Sequence, residues 1–193
     1  TSDSIRLDLL NRLKAAEYQI LVVTVDVPTF GYRPKDIRNG LAMPPKMTLK
    51  NIIQMMSKPR WFWETMLAGK PEMQTLKPYM PKNMTMDHLA EFMNNTVMGR
   101  VDIESLKPIR EFWQGPLVIK GLINPLDVQS AIALGVDAVV MSNHGARQLD
   151  LGESPIDTLS EVKAKFGKDI EIFMDSGIQS GPDIAAALAS GAD

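Results

Sequence analysis

The sequence predicts an α/β fold, a parallel (β/α)8 TIM barrel of which about half, strands four to seven, lies within the chain. Three observations predict it. From Glu104 onward, short β-branched runs alternate with helical stretches, the pattern of a parallel sheet with crossover helices. Every apolar run ends in chemistry-bearing residues, whereas an open doubly wound sheet gathers its chemistry at one switch point. The 193 residues, 45% of them hydrophobic, can bury a substantial core but fall short of the ~250 residues of a complete barrel.

Ile5, Leu9, Leu13 and Ala16 recur at helical spacing, and the β-branched run Gln19 to Val27 that follows reads as a buried strand ending in Thr24 and Asp26. A helix from Ile103 to Trp113 feeds the strand Pro116 to Ile119, which ends at Lys120. Asn124 caps the next helix, with Pro125 in its first position. The strand Asp137 to Met141 leads into Ser142-Asn143-His144, and a helix from Ile156 to Lys165 precedes the strand Ile170 to Met174, which ends in Asp175-Ser176-Gly177. Ser180 or Gly181 before Pro182 starts another helix, and Gly191-Ala192-Asp193 reads as a loop launching a further strand. Both ends are therefore expected to be cuts, and residues 1–193 to form one partial barrel domain. The stretch from about Met43 to Gly99 breaks the rhythm, carries two of the three tryptophans and most of the methionines, and reads as an insertion.

The formal net charge of -2 provides no basic field for nucleic acid, so that class of partner is set aside. The absence of cysteine excludes disulfides, thiolate catalysis and Cys-ligated zinc, and fits a reducing, cytoplasmic setting. No metal site is expected. The longest apolar stretch, Ile20 to Val27, is interrupted by Thr24 and Asp26 and falls far short of the ~20 residues that span a bilayer. No secretory signal pattern opens the chain.

The strongest local signal is Ser142 to Asp150, in which His144 follows a buried strand, Gly145 lets a ligand approach the backbone, and Arg147 offers a planar fork for a carboxylate. His144 is the candidate base; His88, in the insertion, reads as a surface residue. Asp26 either orients the His144 imidazole or caps a turn at the strand exit. Arg33 is a second candidate carboxylate clamp. Lys120 either forms a Schiff base or stabilises an anion on a cofactor. The turn Asp175 to Pro182 leads from strand to helix with glycines at Gly177 and Gly181, a layout in which backbone N–H groups cradle a phosphate.

In this order, the segments Leu21 to Pro28, Val118-Ile119-Lys120-Gly121, Ser142 to Asp150 and Asp175 to Gly181 resemble those of the FMN-dependent 2-hydroxy-acid oxidases and dehydrogenases. That family includes glycolate oxidase, lactate oxidase, flavin lactate dehydrogenases and mandelate dehydrogenase. The resemblance implies FMN contacts by Thr24, Lys120, Ser142, Gly145 and the turn containing Asp175, Ser176, Gly177 and Gln179, with Lys120 beside the flavin pyrimidine edge. It implies His144 as base, Asp26 as its partner, and Arg33 and Arg147 as clamps on the substrate carboxylate. Many members carry arginines where this chain has Gln179 and Ser180, and an arginine pair where it has Tyr32-Arg33.

The implied function is oxidation of a small L-2-hydroxy acid to its 2-oxo acid, with oxygen or a quinone as the final acceptor and a homo-oligomer as the full-length state. One rival is a phosphate-binding barrel aldolase with Lys120 as Schiff-base nucleophile. Another is a non-enzymatic folding or binding module. Trp61, Phe62, Trp63, Met66 and Leu67 cluster between Lys58, Arg60 and Lys70, a mixture that suits either a membrane interface or a covered contact surface. The first option places the protein peripherally at the inner membrane surface.

Overall fold

Short, mostly apolar runs form the strands, with Lys120-Gly121 inside the second and polar residues at or just after the ends of the others. In the computed structural model residues 3–31, 33–42, 48–69, 73–81, 86–96 and 99–193 are described. In chain order the elements are α1 (Asp3–Ala15), β1 (Leu21–Thr24), α2 (Pro34–Arg38), α3 (Leu49–Met56), α4 (Pro59–Ala68), α5 (Met86–Thr96), α6 (Ile103–Phe112), β2 (Leu117–Leu122), α7 (Pro125–Leu134), β3 (Ala138–Met141), α8 (Pro155–Phe166), β4 (Glu171–Met174) and α9 (Gly181–Ala189). Short 3-10 turns occupy Lys77–Tyr79 and His144–Ala146. The chain divides into two compact units, one of Thr1–Tyr32 with Met98–Asp193 and the other of Arg33–Val97. The second unit thus begins at Arg33, earlier than the Met43 expected for the insertion.

In the first unit the four strands are parallel in the order β1-β2-β3-β4, an arc of a (β/α) barrel. Val23, Ile119, Val139 and Ile172 stand in one register row, and Thr24, Lys120, Val140 and Phe173 in the next. Side chains alternate along a strand, so these rows face opposite sides of the sheet. Ile119, Val139 and Ile172 are buried with Leu117, Met141, Val128, Leu159 and Val162 in one core, which Val23 joins from β1. The row containing Thr24 and Lys120 faces away from that core.

The helices start where the capping signals lie. Asn124 accepts a 2.9 Å hydrogen bond from the Leu126 N–H at the head of α7, and Gly135 ends that helix in the left-handed conformation. Asp102 accepts from the Ser105 N–H at 3.0 Å ahead of α6. The entry to β3 is fixed by Asp137: its N–H donates to the Leu117 carbonyl at 2.9 Å, and its Oδ2 accepts from the Leu117 N–H at 2.8 Å. Asp193 repeats this arrangement on β4, donating to the Ile172 carbonyl at 2.9 Å and accepting from the Ile172 N–H at 3.0 Å. Each aspartate also meets a cation, Arg110 at 3.3 Å and Lys163 at 2.5 Å respectively.

In the second unit, Thr48 caps α3 by accepting from the Asn51 N–H at 3.2 Å, and Pro59 opens α4. Neither α3 nor α4 has a buried residue. Trp61, Trp63, Met66 and Leu67 are all exposed, and Phe62 meets Trp63 edge to face with centroids 5.6 Å apart. Lys70, the far cation of the expected interfacial cluster, lies outside the described residues. Among the described residues, no helix is long and apolar enough to cross a membrane.

Candidate active site

The site lies at the C-terminal ends of the four strands, and its parts come from each of them. Asp26, two residues beyond β1, places Oδ1 3.3 Å from His144 Nδ1, joining residues 118 apart in sequence. A carboxylate only accepts, so Nδ1 carries the hydrogen and Nε2 holds the basic lone pair. Asp26 Oδ2 is buried and has no hydrogen-bond partner among the described residues.

Room for Asp26 is made by Gly121. The register of β2 on β3 shifts between Lys120 and Leu122, leaving Gly121 in a bulge at φ +103°. A Cβ there would lie 2.5 Å from Asp26 Cγ. The sequence reading passed over this role, although a glycine directly after a strand-end lysine was its visible signal.

Lys120 Nζ donates to Ser142 Oγ at 2.9 Å and forms an ion pair with Asp175. Thr24 is registered directly opposite Lys120 on β1, so both side chains face the same side. Ser142 is fully buried at the end of β3. Burial pushes the Asp175 carboxyl upward, but hydrogen bonds from Lys120, Ser142 and Ser176 outweigh it and hold the group below its ordinary value.

His144, Gly145 and Ala146 have φ of 59°, 64° and 57°, one left-handed turn. Ser142 Oγ accepts from the His144 N–H at 3.1 Å, Ser176 Oγ from Gly145 at 3.0 Å, and Asn143 Oδ1 from Ala146 at 3.1 Å. Arg147 follows this turn with an exposed side chain, and its carbonyl lies against Gly31, where a Cβ would come within 2.2 Å of the oxygen. Gly31 was also missed from sequence. Arg33 falls in the second unit, just ahead of α2, with its Nε buried and lacking a hydrogen-bond partner among the described residues.

In the turn after β4, expected to cradle a phosphate, two donors are bonded within the chain. The Gln179 N–H donates to Asp183 Oδ2 at 3.1 Å and the Ser180 hydroxyl donates to the same oxygen at 2.7 Å. Asp183 therefore occupies the head of α9 itself, and these bonds hold its carboxyl below the usual value. Gly177 is at φ +76° and Gly145 at +64°, with open space beside both. Among the described residues, no group of three or more His, Asp or Glu is placed to hold a metal ion.

A planar, redox-active ring fits the strand-end region. Lys120 and Thr24 offer donors on one side of the sheet, and Gly145 and Gly177 expose backbone beside open space. The fit is poorer at the phosphate end, where the Gln179 N–H and Ser180 hydroxyl are committed to Asp183.

Residues 1–193 match the family of FMN-dependent dehydrogenases along their whole length, and the chain belongs to that family. It is 39% identical over 184 residues to an L-lactate dehydrogenase of Pseudomonas syringae pv. syringae (strain B728a), a match covering 95% of this chain and 48% of that protein. A putative L-lactate dehydrogenase of Mycobacterium tuberculosis (strain ATCC 25618 / H37Rv) is 38% identical, with 95% and 43% covered. The crystal structure of the monotopic membrane protein (S)-mandelate dehydrogenase superposes with a TM-score of 0.87 at 31% identity, covering 98% of this chain and 50% of that one. A mandelate oxidase variant with the C4a-OH-FMN adduct gives a TM-score of 0.67 at 29% identity, covering 100% and 45%. The chain thus spans 48% or less of the length of these two lactate dehydrogenases.

Proposed function

We propose that the chain forms the base-bearing half of an FMN-dependent oxidoreductase that converts a small L-2-hydroxy acid of lactate or glycolate type to the 2-oxo acid. The observation that carries this reading is the contact of Asp26 with His144 Nδ1 at 3.3 Å, which leaves Nε2 as a base. Family membership supports it, and the relatives above are named for lactate and mandelate, both 2-hydroxy acids.

In this mechanism Arg147 binds the substrate carboxylate, and His144 Nε2 takes a proton from the substrate. Asp26 stabilises the imidazolium that forms. Thr24, Lys120, Ser142, Gly145 and Gly177 would hold FMN, which when bound would take up the two electrons together with the substrate's second hydrogen. Lys120, kept in place by Asp175 and Ser142, would set positive charge beside the bound group. Arg33 as a second clamp rests on the family resemblance alone. The aldolase alternative is disfavoured because Lys120 Nζ is engaged by both Asp175 and Ser142, whereas a Schiff-base nucleophile must present a free amine.

The test is flavin absorbance. The full-length protein should be yellow and bleach with L-lactate or glycolate, and His144→Ala should keep its flavin while slowing bleaching by ~100- to 10,000-fold. Colourless protein, or a variant that bleaches at the parent rate, overturns the reading.

A second proposal is peripheral docking on the cytoplasmic membrane surface through α3 and α4, with a quinone as final acceptor. It is favoured by the exposure of Trp61, Trp63 and Leu67 at 51%, 63% and 86%, flanked by Lys58 and Arg60.

A further inference from the structure

We infer that Ser176 is a positioning residue for His144, its hydroxyl pinning the turn that carries the base to the exit of β4. The inference rests on the reading of His144 as the base. Ser176 has φ +78°, a conformation that glycine adopts freely and a side-chain-bearing residue adopts at a cost. Its hydroxyl bonds account for a serine there. Oγ accepts from the Gly145 N–H at 3.0 Å and from the Asn143 N–H at 3.3 Å, and donates to Asp175 Oδ1 at 3.1 Å. That uses the single donor and both lone pairs of a hydroxyl.

The turn needs such a hold. Two of its three left-handed residues, His144 and Ala146, carry a Cβ, and such a conformation persists only when its surroundings over-determine it. The amides of His144 and Ala146 are satisfied from within the same loop, by Ser142 and Asn143. The Gly145 amide, like that of Asn143 just before the turn, is satisfied from the exit of β4. Ser176 is therefore the link that sets the turn against β4, and through Asp175 it shares a hydrogen-bonded chain with Lys120. Base and ammonium are held in register by that chain.

The experiment compares Ser176→Gly and Ser176→Ala in the full-length holoenzyme. Glycine removes the hydroxyl and relieves the backbone, whereas alanine removes the hydroxyl and keeps the strain. Both should slow flavin reduction by about 10- to 100-fold, the scale of a misplaced reacting group, with substrate affinity and flavin content unchanged. In flavin-free protein, both should speed hydrogen exchange at the Gly145 amide. If Ser176→Gly reduces its flavin at the parent rate, or keeps Gly145 protected, while His144→Ala is inactive, the pin is overturned and the base assignment stands. Loss of flavin without a change in the reduction rate of the loaded fraction makes Ser176 a cofactor contact and also overturns it. Should His144→Ala itself reduce flavin normally, both readings fall.

Discussion

Asp26 and Gly121 interlock: the carboxylate that touches His144 lies where any side chain at Gly121 would have to be, 2.5 Å from its ideal Cβ. A methyl group there meets both a clash and the φ of +103°. Gly121→Ala should therefore lower stability by about 1–3 kcal/mol. It should also slow flavin reduction by about 100-fold through the displaced base partner. Denaturant melts and stopped-flow reduction check the two effects, and parent values in both would show that Asp26 does not depend on the bulge.

Arg147→Lys preserves charge but removes the planar fork. Substrate affinity and turnover should both fall in steady-state kinetics of the full-length protein. Unchanged kinetics would make Arg147 an ordinary exposed cation.

Asp175 provides a pH signature. Its carboxyl titrates below the ordinary value in the folded chain, so the stability it contributes is present above the unfolded value of about 3.9 and is lost as pH falls through the folded value. Asp193, lowered by Lys163 and the Ile172 N–H, acts in the same direction. Unfolding free energy should thus decline below about pH 4, and Asp175→Asn should flatten part of that slope. Equal slopes in parent and variant would remove Asp175 from the account.

Membrane docking predicts co-sedimentation of the full-length protein with anionic vesicles at low salt, weakened by Trp61→Ser and Trp63→Ser. Salt should weaken it further, because the cation contribution is screened within about 10 Å at 0.1 M. Protein that stays in the supernatant with those vesicles is not a membrane binder.

The strands were legible because buried parallel strands are continuous apolar runs with breakers after them, as at Leu117–Leu122 and Ala138–Met141. The cap of α7 was legible for a similar reason, since Asn124-Pro125 states its conformation locally. His144 and Asp26 could be named from chemistry, but their contact depends on the register of β1 on β2 and of β2 on β3. The bulge at Gly121 depends on the register of β2 on β3, and the Ser176 bridge on that of β3 on β4, which no local pattern encodes. The capture of the Gln179 N–H by Asp183 is visible in Ser180-x-x-Asp183, a capping pattern that lies within the turn expected to cradle a phosphate. The helices of the second unit were missed because that stretch was judged by composition, while Thr48 and Pro59 marked its helix starts.

The paired aspartates Asp137 and Asp193 bear on how the chain assembles. Asp137, just ahead of β3, and Asp193, just after α9, tie back to residues 20 and 21 positions earlier in β2 and β4, so the segment from β2 onward is joined by short-range closures. β1 is different, since its partner strand begins 96 positions later at the Leu21–Leu117 pairing. Loop-closure entropy rises only as the logarithm of length, but it is spent before the pairing repays it. Closure entropy therefore favours the β2 to β4 arc over the pairing of β1. The His144 turn lies within that arc, while Asp26, its carboxylate partner, follows the strand with the longest-range pairing of the four.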